Sequence, residues 1–514
     1  MSILGNRVLR REDPKFLTTG GVYGEDLELD GALWVTFVRS TVAHARISEL
    51  DISAALEMPG VVAVVTGEDL DLPEIPAGDP VPETMARPAL AKGIARFVGE
   101  AVAAVLTERR EQGEDAAEVV SVDYEPLPVV VDPADAVTDG VVLFPAQGTN
   151  VVLSIPGEPG ASTFSDCEVV VTRRIVNQRV APCPLEVRSA AASWGDDGRL
   201  TLRASNQHPH GAKDALCSLY GLDAAQVRVV APDVGGGFGA KIGLYPEDLV
   251  LPWLARRVGR PVRWTESRSE SMLSLGHGRG QIQQVKIGGR RDGTILAYRL
   301  EVLQDAGAYP SIGAFLPFLT KLMTSGTYDI PRVEFSAQAV VTNTNPVVAY
   351  RGAGRPEATA AIERAMDLFA AEIGMDPVEL RRRNLVGADR FPYTNGTGTV
   401  YDCGDYSSAL DLALEVSGYE QLRAEQARRR ASGARHLLGV GVSTYVEVTN
   451  GDGGGELAEV EVLPDGRARV YTGTSPHGQG HATAWAMIAS EQLGIPVEDI
   501  DLVASDTDLV RSGG

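Results

Sequence analysis

A stretch of this sequence recurs 273 residues further along the chain, and this repeat limits the possible folds more than any other feature. His208 falls on His481, and VRVVAPD (227–233) falls on IDLVASD (500–506). Each copy reads as a polar loop, a helix, a glycine turn, a strand, an aspartate and a run of glycines. We therefore expect two related α/β units. The alternative is a chance likeness between two helix–glycine–strand units.

The second copy differs from the first beyond its glycines. In the first copy the glycine run leads into a predicted helix (246–258) and strand (261–265), whereas the sequence stops at Gly514 in the second. A sheet and helix unit needs such a covering layer to bury its apolar face. We expect the second unit to be incomplete.

Length and charge narrow the function classes. At roughly 100–200 residues per domain, 514 residues predict three or four domains. A net charge of −22 argues against a protein that binds along a nucleic acid backbone. The longest apolar runs are too short to span a bilayer. The four cysteines form no Cys-x-x-Cys pair, which argues against an iron–sulfur cluster on this chain and favours the reducing cytoplasm.

Hydrophobic patterning predicts a mixed α+β and α/β chain. Strands and a helix alternate over residues 1–133, and a Gly- and Pro-rich stretch (134–160) predicts a linker. Longer alternation of strands and helices follows from about residue 161. Near the end we predict a helix at 407–429, a strand at 439–446, strands at 458–462 and 468–472, and a helix at 483–493.

The densest chemical motif is GGGFGAK (235–241). Four glycines around one aromatic residue allow backbone N–H groups to approach a ligand and donate to its oxygens. A P-loop would need Gly-Lys-Ser/Thr, but Lys241 is followed by Ile242; the Gly-x-Gly-x-x-Gly spacing of a Rossmann loop is also missing. The motif predicts a cofactor cradle, with a plain turn as the alternative.

Two further loops open predicted helices. In YRGAGRPE (350–357) two arginines flank exposed backbone, which indicates an oxyanion site or arginines that only cap nearby carbonyls. In HGQGHAT (477–483) the glycines argue against a helical histidine pair for a metal. Gln479 there suits amide recognition of a heterocycle. His208 and His210 lack a third metal ligand nearby.

Taken in this order, the three loops resemble the molybdenum-binding large subunit of the xanthine oxidase family, which includes aldehyde oxidases and aerobic carbon monoxide dehydrogenases. The likeness extends to LTTGGVYGED (17–26), VGEAVAAV (98–105) and VDYEPLP (122–128). It implies a hammerhead-like α/β domain (1–133), a linker (134–160), a first molybdopterin-binding domain (161–390) and the start of a second, incomplete one (391–514).

The resemblance also implies roles for individual residues. The amide of Gln207 would approach the molybdenum oxo group, the backbone N–H of Phe238 would face the same centre, and Arg351 would stabilise charge on the substrate. Gln479 would hydrogen-bond the pterin. No protein ligand to the metal is expected, since the pterin dithiolene holds it. The full cofactor-binding set is Gly236, Gly237, Phe238, Gly239, Arg351, Gly478, Gln479, Gly480 and His481.

The reaction implied is hydroxylation of an aldehyde or N-heterocycle with water as the oxygen source. The cofactor would be molybdenum–molybdopterin, in its cytosine dinucleotide form. Electrons would leave through 2Fe-2S clusters on a small subunit to FAD on a medium subunit, within a dimer of heterotrimers. The cofactor carries such chemistry, and the protein supplies position and electrostatics.

Two departures from the family pattern bear on function. Gly352 stands where copper-containing carbon monoxide dehydrogenases carry a cysteine, so the thiolate ligand for copper is missing. The family's base glutamate lies beyond the point that corresponds to Gly514, so we expect this chain alone to lack it. The alternatives to the hydroxylase are a carbon monoxide dehydrogenase-like large chain and a cofactor-free remnant that only binds partner subunits.

Overall fold

The computed structural model describes residues 2–76, 78, 80–157, 160, 162–448 and 455–514. Its strands are β1 (Leu33–Arg39), β2 (Ala45–Asp51), β3 (Val61–Thr66), β4 (Ile94–Ala95), β5 (Ala101–Thr107), β6 (Ser121–Pro126), β7 (Val151–Ile155), β8 (Val169–Asn177), β9 (Ser189–Trp194), β10 (Leu200–Ala204), β11 (Val227–Val230), β12 (Val262–Thr265), β13 (Gln281–Gly289), β14 (Ile295–Gly307), β15 (Arg332–Val341), β16 (Tyr393–Thr394), β17 (Val400–Tyr401), β18 (Ala458–Val462), β19 (Ala468–Thr472) and β20 (Ile500–Val503).

The α-helices are α1 (Ser53–Leu56), α2 (Arg110–Glu118), α3 (Pro133–Ala136), α4 (Pro209–Tyr220), α5 (Pro246–Val258), α6 (Arg268–Ser274), α7 (Ile312–Leu322), α8 (Arg355–Ile373), α9 (Pro377–Asn384), α10 (Tyr406–Ser417), α11 (Tyr419–Ala431) and α12 (His481–Leu493). Within the described ranges, none of them is both long enough and apolar enough to cross a membrane.

The largest sheet joins the N-terminal region to the first repeat copy. Its strand order is β11-β10-β9-β12-β1-β5-β3, and β1 runs parallel to β12 with Leu33 opposite Val262. Every residue of β5 is buried, as expected for a central strand. Helices α4 and α5 pack on this sheet. The glycine run therefore leaves the sheet edge at β11 and returns to it through α5.

A second sheet, of five strands, carries the loop that precedes α8. Its order is β7-β15-β14-β13-β8, and α8 packs on β13 and β8. The apolar face of α8 supplies Ala361, Ile362, Ala365, Met366 and Phe369, each fully buried. This packing fixes the N-terminal end of α8, where the arginine loop ends.

The second repeat copy forms a small sheet of β18-β19-β20 with α12 packed on it. It is joined edge to edge to the first copy, because the N–H of Ala231 donates to the carbonyl oxygen of Ser505 at 2.9 Å. The N–H of Thr507 donates to the carbonyl oxygen of Val229 at 3.1 Å. The two glycine-rich regions therefore lie side by side.

Two predictions from the sequence are wrong. The helix predicted at 407–429 is two helices, α10 and α11, because Gly418 between them has a left-handed φ of 65° that ends the first. The strand predicted at 439–446 does not form. Its Thr444 N–H donates instead to the carboxylate of Glu363 at 3.2 Å, and Val440 and Val442 pack on the core beside α8. Backbone groups that pair with side chains leave none for a strand ladder.

Candidate active site

A cleft of about 1970 Å³ lies where the three motif loops meet. A fourth segment, residues 10–26, which we call the N-terminal arm, runs along one side of it. The residues on the wall include Arg10, Arg11, Lys15, Gln207, Gly235, Gly236, Phe238, Gly239, Arg351, Gly478, Gln479 and Gly480. The cleft is therefore built from both repeat copies and not from one of them.

The glycine run is shaped by the groups it packs against. Gly236 and Gly239 both have a φ of 96°, where side chains are strained, and Phe238 between them has a φ of 54°. A side chain at Gly237 would collide with the amide of Gln207, and a Cβ at Gly239 would lie 2.7 Å from the carbonyl oxygen of Ala349. Glycine is required here because Gln207 and the arginine loop leave no room for more.

A buried ion pair closes the ends of this loop. Lys241 is 1% exposed, and its Nζ lies 3.1 Å from a carboxylate oxygen of Glu186 and 2.8 Å from Oγ of Ser205. The same oxygen of Glu186 accepts the backbone N–H of Gly235 at 2.7 Å. Burial lowers the pKa of Lys241, and Glu186 opposes that shift. One carboxylate thus ties the first residue of the run to the last.

Gln207 lies in the short loop between β10 and α4, against the glycine run. Its Oε1 accepts the backbone N–H groups of Gly239 at 2.9 Å and Lys241 at 3.2 Å. Its own N–H donates to the carbonyl oxygen of Lys241 at 2.8 Å. Because two donors hold the amide oxygen, the amide nitrogen is the group that Gln207 can offer to the cleft.

Arg351 follows a backbone link to the glycine run, since its N–H donates to the carbonyl oxygen of Phe238 at 2.9 Å. Its side chain is exposed on the cleft wall and makes no ion pair with any residue that the structure describes. Arg355 in the same loop is different, because its Nε lies 2.7 Å from a carboxylate oxygen of Glu447. Arg351 is thus the guanidinium of this loop that remains available to a ligand.

Arg279 fixes the backbone that carries Arg351. Its guanidinium donates to the carbonyl oxygens of Tyr350 at 2.8 Å and Arg351 at 2.7 Å, and it lies over the ring of Tyr350. Nη1 is also 3.4 Å from Oε1 of Glu357, which is fully buried in the first turn of α8. Burial raises the pKa of Glu357, and Arg279 opposes the shift. Arg279 therefore braces the arginine loop from behind.

The loop of the second copy, residues 473–480, brings His477 to the cleft. Nδ1 of His477 lies 3.1 Å from the carbonyl oxygen of Ser475, and the backbone N–H of His477 donates to Oε1 of Gln479 at 2.6 Å. Gln479 therefore folds back on His477 through its carbonyl. His481 begins α12, is 9% exposed, and packs on the ring of Trp485 at 5.4 Å.

The N-terminal arm contacts both copies. A carboxylate oxygen of Glu12 accepts the hydroxyl of Thr483 at 2.5 Å, in the first turn of α12. Lys15 forms an ion pair with Asp233, whose carboxylate also accepts the N–H of Val22 at 2.8 Å. Burial raises the pKa of Glu12, but its hydrogen bonds with Thr483 outweigh burial and leave the pKa below its ordinary value.

Free backbone donors line the cleft. The N–H groups of Gly236, Gly237 and Phe238 donate to no acceptor among the residues that the structure describes, nor do those of residues 478–480. Gly480 also precedes α12, so the positive end of that helix faces the same space. Consecutive free N–H groups, a helix N-terminus and a guanidinium suit a ligand rich in oxygen acceptors. The residues present therefore fit a molybdopterin.

Most residues selected from the sequence lie on the cleft wall, with two differences of position. Gly237 lies behind the wall against Gln207, and the side chain of His481 turns towards α12. Sequence reasoning missed Glu186, Arg279 and His477. Arg279 stands between two glycines and has a left-handed φ of 66°, which was the available signal for a special backbone position.

Comparison with known families matches the chain over three segments. Residues 18–128 match the a/b hammerhead domain of aldehyde oxidase and xanthine dehydrogenase. Residues 143–385 and 412–514 match two molybdopterin cofactor-binding domains. The two cofactor-binding matches contain the first and the second repeat copy respectively.

Individual relatives support the same family. The chain is 36% identical to the nicotine 6-hydroxylase large subunit of Paenarthrobacter nicotinovorans over 98% of its length, and spans 64% of that protein. It is 36% identical to the carbon monoxide dehydrogenase large chain of Hydrogenophaga pseudoflava, covering 99% of this chain and 67% of that one. The crystal structure of quinoline 2-oxidoreductase from Pseudomonas putida 86 matches with a TM-score of 0.92 at 36% identity, over 98% of this chain and 66% of that one.

The chain thus spans about two thirds of the length of these relatives, and its described residues contain the hammerhead fold and the loops of both cofactor-binding matches. The resemblance found in the sequence is confirmed, together with the mixed α/β multidomain fold. This chain belongs to the aldehyde oxidase and xanthine dehydrogenase family, among its molybdopterin-binding large chains.

Proposed function

We propose that this chain is the cofactor-binding large subunit of a molybdenum hydroxylase that oxidises an N-heterocycle or an aldehyde with water as the oxygen source. The observation that carries the proposal is the convergence of Gln207, the Phe238 N–H and Arg351 on one cleft. A bound molybdenum–pterin group supplies the oxygen-atom and two-electron chemistry of that reaction.

The residues of this chain bind and orient. The free N–H groups of Gly236, Gly237 and Phe238, with Gly239 shaping the turn, hold oxygen atoms of the cofactor from the first copy. Gly478, Gln479 and Gly480 contact it from the second, and His481 supports their loop from the first turn of α12. Gln207 directs its amide nitrogen towards the same group. These donors are preformed, so they cost no reorganisation when charge develops.

Arg351 has a catalytic role in this proposal. Its guanidinium reaches the cleft without a carboxylate partner among the described residues, so its charge is available to a substrate. Negative charge that develops on a heterocycle nitrogen or a carbonyl oxygen is stabilised by such a group. Arg279 keeps the backbone of this loop in place.

The names of two relatives favour an N-heterocycle as the substrate. One relative is named for the 6-hydroxylation of nicotine and another for the oxidation of quinoline, and both compounds contain a nitrogen heterocycle. An aldehyde is the second candidate, since a relative from Megalodesulfovibrio gigas, 31% identical, is named aldehyde oxidoreductase.

Carbon monoxide oxidation at a copper site is the less favoured reaction. Two relatives are named carbon monoxide dehydrogenase large chains. Here Gly352 follows the active-site arginine with a φ of 92°, and a Cβ there would lie 2.5 Å from Cγ of Pro356. A cysteine side chain fits this backbone poorly, so no thiolate is offered to copper.

The proposal extends to cofactor form, partners and organisation. We assign the cytosine dinucleotide form of molybdopterin, a 2Fe-2S small subunit, an FAD-binding medium subunit, assembly as a dimer of heterotrimers, and a cytoplasmic location. Relatives named as a large subunit and as a subunit of a dehydrogenase complex support the multi-subunit arrangement. The division into 1–133, 134–160, 161–390 and 391–514 belongs to the same proposal.

Metal and pterin analysis of the purified protein tests the function. About one molybdenum and one cytosine dinucleotide pterin per chain, with dye reduction by quinoline, would support the hydroxylase. The absence of both from protein purified with its partner subunits would favour the cofactor-free remnant. Activity with carbon monoxide and a requirement for copper would favour the dehydrogenase instead.

A further inference from the structure

His477 meets Gln207 across the cleft, so that the two repeat copies touch at the proposed catalytic glutamine. The residues are 270 positions apart in sequence, and Nε2 of His477 lies 3.2 Å from Nε2 of Gln207. Ser475 offers a carbonyl oxygen to the other ring nitrogen, Nδ1, at 3.1 Å. A carbonyl oxygen can only accept, so Nδ1 carries the hydrogen and Nε2 presents a lone pair.

The orientation of the Gln207 amide is set by its opposite end. Its oxygen accepts the N–H groups of Gly239 and Lys241. The amide nitrogen must therefore face His477, where a donor meets an acceptor. One amide hydrogen goes to the imidazole, and the second remains for a group bound in the cleft.

We propose that His477 is a positioning residue for Gln207: the imidazole of the second copy accepts one amide hydrogen and thereby aims the other at the reaction centre. The proposal rests on the proposed function, because Gln207 has a catalytic role only in a molybdenum hydroxylase. His477 itself contacts Gln207 and not the reacting atoms.

Electrostatics keep His477 in the form this role requires. Burial lowers the pKa of His477, and the nearby charges of His481 and Lys241 lower it further, while the carbonyl of Ser475 acts in the opposite direction. The side chains of Gln207 and Gln479, which also contact the ring, are uncharged. At neutral pH the imidazole is therefore an acceptor. In acid Nε2 gains a proton, two donors face each other, and the contact is lost.

Two substitutions separate hydrogen bonding from packing. His477→Phe keeps a ring but removes the acceptor, whereas His477→Gln keeps an acceptor that does not titrate. In protein purified with its cofactor and partner subunits, we expect His477→Phe to lower kcat with quinoline about tenfold at unchanged KM and molybdenum content, the effect of one lost hydrogen bond. His477→Gln should recover most of kcat and abolish the acid limb of the kcat profile. His436→Gln, an exposed histidine outside the cleft, is the matched control.

A second measurement does not depend on activity. With ¹³C-labelled histidine, the chain gives seven imidazole signals, and the one missing from His477→Gln identifies His477. Its pKa should lie below the ordinary value and rise in Gln207→Leu, because that change removes the donor that favours the neutral ring. Absence of molybdenum from the wild type would refute the proposed function but not this contact. An unaltered His477 titration in Gln207→Leu, or wild-type kcat and pH profile in His477→Phe, would overturn the positioning role.

Discussion

The two repeat copies share a framework but place their cofactor loops at different points of it. In the first copy β9, β10, α4 and β11 follow one another, with β10 antiparallel to β9 and parallel to β11. In the second copy β18, β19, α12 and β20 have the same order and the same pairing. Even the helix ends correspond, since each helix stops at a left-handed glycine, Gly221 or Gly494.

The loops differ where the framework does not. The segment between the middle strand and the helix is residues 205–208 in the first copy and residues 473–480 in the second, twice as long. The short loop carries Gln207 and leaves the cradle to the glycine run after β11. The long loop carries its own glycines, Gln479 and His477. A duplicated scaffold thus offers two faces to one ligand, and divergence is confined to exposed loops, where insertions are tolerated.

Removing the charge at the arginine loop should have the largest effect, because it acts in the transition state. We expect Arg351→Ala to lower kcat about a hundredfold, roughly 3 kcal/mol of barrier, at full molybdenum content. Arg351→Lys should recover little, since an ammonium does not reproduce the planar fork. Arg364→Ala, on the exposed face of α8, is the control. Near-normal turnover in Arg351→Ala would show that this side of the cleft only binds.

Filling the glycine run should separate the contribution of the first copy from that of the second. In Gly237→Val the new side chain collides with the Gln207 amide, so we expect molybdenum content to fall about tenfold while the fold survives. Gly243→Val is matched, because a Cβ there meets no atom within 4 Å and its φ is ordinary. Metal analysis and circular dichroism give the comparison. Full molybdenum loading in Gly237→Val would mean that the second copy holds the cofactor unaided.

The framework and the loops could be predicted from sequence because their signals are local. Glycine spacing marked the run at 235–241, and strand and helix periods marked α5, β18 and β19. The contact between His477 and Gln207 could not be predicted this way, because it joins residues 270 positions apart. The same holds for Arg279, whose guanidinium binds carbonyls of residues more than seventy positions away. Backbone carbonyls leave no trace in side-chain sequence.

Buried carboxyl groups of the two copies should respond to pH with opposite sign. Burial raises the pKa of Asp248 in α5 to about 7, although Arg188 opposes it, whereas Asp506 after β20 has a lowered pKa because hydrogen bonds from Arg228 outweigh burial. A raised pKa means that the folded state holds the proton more tightly, so its stabilising effect is complete below about pH 4 and is lost as pH rises to about 7. A lowered pKa gives stability above about pH 4 that is lost in acid.

Urea unfolding of two matched variants measures this difference. Asp248→Asn should flatten the fall in stability between pH 5 and pH 7, by up to about 1.4 kcal/mol per pH unit. Asp506→Asn should leave that range unchanged and remove stability only where the wild-type carboxylate is ionised. Equal slopes for wild type and Asp248→Asn would show that water reaches Asp248 and that burial does not govern its proton.

The smallest effect should come from the N-terminal arm, which caps a helix in the second copy and not its counterpart in the first. Glu12 accepts the Thr483 hydroxyl at the start of α12, a cap worth about 1 kcal/mol or less on a half-exposed surface. Glu12→Gln should therefore speed hydrogen exchange in the first turn of α12 several-fold and leave α4 unchanged, with the exposed Glu28→Gln as control. Because the lowered pKa of Glu12 means that the folded state favours the carboxylate, wild-type exchange should approach that of the variant as pH falls through that pKa. Faster exchange in both helices would mean that the arm stabilises the joined sheets as one body, since the N–H of Ala231 and the carbonyl oxygen of Ser505 couple their edges. Faster exchange in α12 alone would mean that the second copy opens independently at the loop that carries His477.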